Sequence, residues 1–315
     1  MSKRRTYLAW GVIPVGVAVA LWLDALAIIP PGLSDLLARA WPGLLVLVGL
    51  LLLLRGRLPL GGVVAFALAG LLVAGVATFA YTSRAGQERT ENQVEIAQTI
   101  GDAATLLVVN VVLGDTDFTL RRSTEARRIS GTYTGSPESD IITTYDDDFD
   151  LTVEYTIEQT RPAQFPMLTG VGRGRMVLDV PADIAVAINV VVDDGLVTLN
   201  AGDLQLERLT LDVQRGDAAV TLPVYQPLSL SAAERPGSLV VERGNLTLLT
   251  PNEIDVRVAF DRRGSGTPVQ YDAAYIDQRD DVDGILRREV ESADVRLFFD
   301  VVIPRGQLRL DVLRD

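Results

Sequence analysis

Four glycines constrain this chain more than any other feature: Gly174, Gly195, Gly216 and Gly237 stand 21 residues apart, three times running. The units they open read GRMVLDVP, GLVTLNAG, GDAAVTLP and GSLVVERG. A segment of 21 residues holds two or three short strands with their turns and cannot bury an apolar face alone. Stacked on its neighbours, it can. The expectation is an all-β stack of the β-solenoid or β-helix type, with the four glycines as repeat turns. Leu178, Leu199, Val220 and Val241 share the fifth place of their units and are expected in one apolar row. An antiparallel β-sandwich is the alternative that the same strand and turn signals allow.

The strand signals extend beyond the repeat. NVVLGDTDFTL, AINVVVDDGLVTL, LDVQRGDAAVTL and VVIPRGQLRLDV are each two extended runs around a turn carrying glycine with Asp or Arg. Gly accepts positive φ, and Asp bonds its own backbone, so such pairs make sharp corners. The β region is expected over 94–315, with inserts at 121–173 and 261–294 that break the period, after a polar linker at 82–93. The first insert carries an acidic run, Asp146-Asp147-Asp148-Phe149-Asp150, read as a solvated turn. The second is read as loop with one helix near Gly284–Ser292.

Residues 1–81 are different in kind. Of three apolar spans at about 7–29, 36–54 and 58–81, the first and third are long enough, at ~1.5 Å per residue, to cross the ~30 Å hydrocarbon core as helices, and the second reaches across when it starts near Leu36 with Arg39 extended to the interface. Lys3, Arg4 and Arg5 before the first span, and Arg55 and Arg57 before the third, belong on the cytoplasmic side by the positive-inside rule. That path leaves the β region outside the cytoplasmic membrane. Small residues recur four apart at Gly61, Ala65 and Ala69, at Gly70 and Ala74, and at Gly16 and Ala20, with Asp24 one step further. This spacing lets helix backbones approach closely in lipid. It is the expected contact surface for a second membrane protein or a second copy of the chain.

Charge and missing residues narrow the function. Residues 1–81 hold six basic and two acidic side chains, so a chain of net charge −12 carries −16 on residues 82–315. That balance excludes nucleic acid as a partner, since phosphate binding of that kind needs a basic footprint. With no Cys and no His, thiol catalysis, disulfides, histidine acid–base chemistry and the usual zinc sites are excluded. Asp281, Asp283 and Gly284 fit three places of a calcium loop, but Arg279 and Val290 occupy the first and twelfth. No catalytic, cofactor or metal residue is therefore expected, and no enzyme.

WGVIPVGVAVALWLDALAIIP followed by WPGLLVLVGLLLLLRGR resembles the membrane hairpin of LiaF-type envelope-stress proteins. SGTYTGSPESDIITTYDDDFDLTV, the stretch from Leu178 to Pro223 and NVVLGDTDFTL resemble the same family's C-terminal β region, of the toast-rack or cell-wall-active antibiotic response type. The turns here read VVDDG and VQRGD where the family favours glycine at both places, and three spans stand where it commonly has four. The resemblance implies a non-enzymatic bacterial membrane protein that regulates stress signalling through protein contacts, with a sensor kinase as the typical partner. It carries over no catalytic residue. A membrane-anchored surface module binding glycan, lipid or ion is the second expectation.

Overall fold

The computed structural model describes residues 87–149, 151–160, 172–228, 237–261, 268–279, 283–291 and 293–314. The three apolar spans and the small-residue stripes from Gly16 to Ala74 lie outside the described residues, among which no helix is long and apolar enough to cross a membrane. The described chain is all β. In chain order its strands are β1 (Asn92–Thr99), β2 (Leu106–Arg122), β3 (Arg128–Gly135), β4 (Asp140–Phe149), β5 (Thr152–Thr160), β6 (Gly174–Val180), β7 (Ala185–Asp194), β8 (Val197–Asn200) and β9 (Gln205–Val213). There follow β10 (Ala218–Thr221), β11 (Gly237–Val241), β12 (Leu246–Thr250), β13 (Asp255–Asp261), β14 (Val269–Tyr271), β15 (Ile276–Arg279), β16 (Asp283–Arg288), β17 (Arg296–Val302) and β18 (Leu308–Val312).

Pairing sorts these strands into two mainly parallel sheets that share β2. Sheet I runs β4-β5-β2-β7-β9-β11-β17-β13-β16-β15 and uses Leu106 to Leu113 of β2, with Asp115 still paired to Asp194. Sheet II runs β1-β3-β6-β2-β8-β10-β12-β18-β14 and uses Thr116 to Arg122. A rung is thus one strand in each sheet joined at a corner, and β2 is a whole rung that bends around Gly114. The rungs do not stack in chain order. β2 lies between β5/β6 and β7/β8, and β17/β18 lies between β11/β12 and β13/β14. Antiparallel strands cover one end of each sheet, β4 on sheet I and β3 with β1 on sheet II, while β16 and β15 close the other end of sheet I. Such covering keeps the rows of unpaired N–H and C=O groups of a parallel stack from pairing with other chains.

Alternate side chains of both sheets meet in a single apolar core. In sheet II one fully buried row is Leu178, Leu120, Leu199, Val220, Leu248 and Leu310. Three of the four residues expected to align do so, with Leu120 inserted between the first two. Val241 does not. It lies in sheet I beside Val213, because the chain from Pro223 to Pro236 adds residues before the next strand. The fourth glycine-led unit is therefore a sheet I strand, 21 residues on by spacing alone, and Gly237 is not a corner.

Three further expectations need correction. The segment read as helical near Gly284–Ser292 is strand β16 over Asp283–Arg288; Gly284 sits opposite Phe260, where a Cβ would come within 2.2 Å of the ring. Asp146 to Phe149 of the acidic run read as a turn belong to β4, with Asp146 opposite Glu154 and a register shift before Phe149; Asp150 lies outside the described residues. The linker joins the sheet earlier than its polarity suggests, since Glu88 bridges Arg173 and the Arg89 N–H donates to the Arg173 carbonyl at 2.9 Å.

Side-chain hydrogen bonds tie buried groups together at both ends of the stack. At the β2 bend the Gly114 N–H and the Thr116 hydroxyl both donate to Gln159 Oε1 at 2.8 Å, and Gln159 Nε2 donates to the Tyr133 hydroxyl. At the other end buried Arg288 donates to the Pro251 and Asn252 carbonyls.

Candidate functional site

The corners leading from sheet I to sheet II repeat one dipeptide. Arg173-Gly174, Arg215-Gly216, Arg243-Gly244 and Arg305-Gly306 occupy it, with Asp194-Gly195 as the variant. Successive corners interlock: the N–H groups of Gly195, Gly216 and Gly244 donate to the carbonyls of Arg215, Arg243 and Arg305 at 2.9–3.0 Å. A Cβ on Gly195, Gly216, Gly244 or Gly306 would lie 1.7–2.1 Å from the carbonyl oxygen of the preceding rung, and Gly216 and Gly244 also have φ of +126° and +143°. Glycine is therefore required here for close approach. Gly174, Gly195 and Gly216 of the expected repeat turns stand at corners, joined by Gly244 and Gly306.

One residue before the corner glycines, or before Thr116 in β2, where Thr116 takes the glycine's place, positions stack rung by rung. From one end the column runs Arg173, Asp115, Asp194, Arg215, Arg243 and Arg305. Arg173 pairs with Asp194 at 2.7 Å and with Asp117 at 3.4 Å, and Arg215 reaches Asp194 at 3.8 Å. Burial raises the Asp194 pKa first; Arg173 opposes that shift and Asp115 adds to it. The first four members thus balance in charge, two acids against two arginines. The last two add positive charge. Burial, then the charges of Arg305 and Arg215, pull the Arg243 guanidinium below its ordinary pKa, and Glu242 opposes them. One residue after the glycines a neutral and acidic ladder runs beside the column. Asp217 accepts from the Asn245 N–H at 2.8 Å, and Asn245 Oδ1 from the Gln307 N–H at 3.1 Å.

The outer face of sheet I carries a second feature. One outward row is polar: Thr156, Asn110, Asn189, Thr210, Ser238 and Asp300. Its Asn189 amide donates to Asn110 Oδ1 at 2.8 Å. The next outward row is Ile142, Glu158, Val112, Val191, Asp212, Val240 and Val302. Five of its seven members are β-branched aliphatics, and Ile142, Val112 and Val302 are 53%, 42% and 38% exposed. At ~4.8 Å per strand the row is ~29 Å long, and Glu158 and Asp212 divide its apolar members into Ile142, the pair Val112 and Val191, and the pair Val240 and Val302.

Between these features a bulge redirects one acid. In β9 Leu206 pairs with Val186 and Arg208 with Ala187, so Glu207 is the extra residue and is buried. Its carboxylate accepts from the Tyr225 hydroxyl at 2.7 Å and from the Leu228 N–H at 3.1 Å, which ties down the chain after β10. Burial and then that hydrogen bond push the Tyr225 hydroxyl up to about 12. Tyrosine in an unfolded chain ionises near ~10. Between pH ~10 and about 12 the unfolded state loses this proton and the folded state keeps it, so stability is expected to fall across that window. Urea midpoints followed from pH 9 to 12 should drop less in Tyr225→Phe than in the wild type.

An open cavity of about 580 Å³ lies where Glu91, Asn92, Glu138, Ser139 and Asp140 converge. No nucleophile–base pair lines it. Among the described residues no group of three or more Asp or Glu side chains is placed to hold a metal ion.

The corner arginines were not singled out in the sequence, although a signal was present. Within residues 82–315 the Arg-Gly pair recurs at 173, 215, 243, 263 and 305, and its uneven spacing hides it beside the even 21-residue glycine series.

No family model matches the chain, and no curated protein matches it. Among solved structures, a candidate cell adhesion protein from Clostridium sporogenes is similar in fold, with a TM-score of 0.52 at 12% identity, over 70% of this chain and 100% of its own. A candidate adhesin from Bacteroides fragilis aligns with a TM-score of 0.24 at 10% identity, over 72% of this chain and 100% of its own.

Proposed function

We propose that this chain is a non-enzymatic bacterial envelope protein: a β-solenoid carried on three membrane helices, outside the cytoplasmic membrane, that acts as a docking scaffold or regulator for another membrane protein. The outward stripe of Ile142, Val112, Val191, Val240 and Val302 carries this reading. The outward face of a sheet in a soluble domain is normally polar, as the adjacent row is, and five aligned aliphatic side chains in one outward row, broken only by Glu158 and Asp212, mark a protein contact surface. Envelope-stress regulation, with a sensor kinase as partner, follows from the resemblance of the membrane hairpin and turn segments.

Two experiments test this. Single cysteines at Ser83 and Ser265, in a chain that has none of its own, should react with a membrane-impermeant thiol reagent in intact spheroplasts. Labelling only after lysis would contradict the topology. A photo-crosslinking residue at Val112 or Val191 should trap a protein in intact cells, whereas one at Thr119 or Thr198, on the outer face of sheet II, should not. Equal trapping on both faces would remove the stripe as the docking surface.

A surface binding module remains the second reading. The fold likeness to a candidate cell adhesion protein favours it, as does the arginine column.

A further inference from the structure

We propose that the β1 strands of two copies of this chain pair edge to edge, antiparallel across a two-fold axis at Ile96, so that sheet II runs on from one copy into the other. The contact uses a strand edge and none of the outward valines. It rests on the membrane anchoring proposed above only for the reason that two copies meet.

The ends of the stack carry the inference. Sheet I ends in β4 and β15, and sheet II in β1 and β14. Three of these four terminal strands carry devices that blunt an edge. β14 has three residues, and β15 has four, with Asp277 and Arg279 among them. β4 holds the run Asp146-Asp147-Asp148 and shifts its register between Asp146 and Phe149. β1 carries no such device. Its eight residues, NQVEIAQT, pair with β3 in one unbroken register, include no Pro, Lys or Arg, and hold a single charge, Glu95. Among the described residues β1 pairs with β3 alone. Capping the parallel stack has therefore moved the open edge of sheet II outward by two strands without closing it.

The pairing with β3 also fixes which backbone groups are free. The Ile100 N–H donates to the Arg127 carbonyl at 2.8 Å, and hydrogen-bonded pairs alternate along an antiparallel ladder, so the even-numbered residues of β1 bond to β3. Gln93, Glu95, Ala97 and Thr99 turn their N–H and C=O groups the other way, and all four residues are exposed. A second β1 placed with Ile96 opposite Ile96 sets Gln93 opposite Thr99 and Glu95 opposite Ala97. Every one of these free donors and acceptors is then used, and no acid faces an acid. The next register on one side leaves Thr99 beyond the partner strand and opposes Glu95 to Glu95; the next on the other side leaves Gln93 beyond it. Side-chain faces match as well, since Ile96, 4% exposed, meets its copy on the inner face.

A second copy suits this edge because of the chain that precedes it. Residues 82–91 alone separate β1 from the third apolar span. Two copies anchored in one membrane therefore meet at high local concentration, which lets a single strand pair hold them.

The test uses the full chain in membranes. Gln93→Cys and Thr99→Cys chains carrying different tags, co-expressed and mildly oxidised, should form a mixed disulfide, because directly opposed residues lie within the Cα span of one. Gln93→Cys with Ala97→Cys, which the other register would oppose, should not. In the first pair of chains, Ala97→Glu sets acid against Glu95 and should lower the yield about tenfold, whereas Ala97→Lys should keep it. Ala97→Pro should abolish the crosslink and leave the melting temperature unchanged, since the N–H it removes makes no bond to β3. No Gln93–Thr99 crosslink, equal yields from Ala97→Glu and Ala97→Lys, or a stronger Gln93–Ala97 crosslink would each overturn the proposal. Photo-crosslinking at Val112 reads the scaffold surface separately, so none of these results decides that reading.

Discussion

Gly244→Ala should abolish the cooperative unfolding of the β region seen in the wild type, or lower its stability by ~4 kcal/mol or more. Two effects add. The residue holds φ at +143°, a region that disfavours any side chain, at ~1–3 kcal/mol. The added Cβ would also lie 1.9 Å from the Gly216 carbonyl oxygen, which is backbone in the preceding rung and cannot rotate away. The neighbour that would have to move is itself hydrogen-bonded to Arg243, so relief at one corner disturbs the next. Gly202→Ala is the control. There the nearest atom is Asn200 Oδ1 at 3.5 Å, an ordinary contact, and the change should be neutral within ~0.5 kcal/mol. Urea midpoints of the two variants measured side by side decide the matter.

Val220→Asp should cost ~4 kcal/mol or more, while Ala219→Asp one residue earlier should cost less than ~1 kcal/mol. Val220 is fully buried between Leu199 and Leu248 in the inner row of sheet II, where an ionised carboxylate has neither water nor a partner. Ala219 belongs to the outward row with Thr198 and Thr247. The contrast tests register directly, because a slip of one residue would exchange the two outcomes. Thermal melts followed by far-UV circular dichroism are sufficient to distinguish them.

These effects also mark what could be read in advance. Strand alternation at Leu204 and Leu206 and again at Leu209, Leu211 and Val213, broken only by the Glu207 bulge, with turns at Gly195 and Gly216, locates individual strands, since burial on one face imposes a period of two whatever the neighbours are. Neighbours are another matter. Every rung offers the next the same apolar inner rows, so no residue in β6 states that β2, and not β8, lies against it. The even spacing of Gly237 misleads for the same reason. A glycine before alternating apolar residues fits a sheet I strand opening beside Leu209 as well as it fits a corner. The corner itself was legible in Arg-Gly, but the significance of the arginines depends on which corners are adjacent. Arg305 follows Arg243 by 62 residues in sequence and one rung in space.

Both the arginine column and the valine stripe therefore depend on the order of the rungs. Arg305 stacks on Arg243, and Val302 beside Val240, only if β17/β18 rests against β11/β12. Val112 stands beside Val191 only if β2 rests against β7/β8. Cysteine pairs introduced into the otherwise cysteine-free chain measure that order. Thr119 faces Thr198 across the β2–β8 pair, within the Cα separation that a disulfide spans, whereas Val177 and Thr198 lie on opposite sides of β2, ~9.6 Å apart at two strand spacings. Mild oxidation of the full chain should crosslink Thr119→Cys/Thr198→Cys in high yield and leave Val177→Cys/Thr198→Cys reduced. The reverse pattern, with Val177 joined to the residue 21 positions on, would show rungs stacked in chain order and contradict the account.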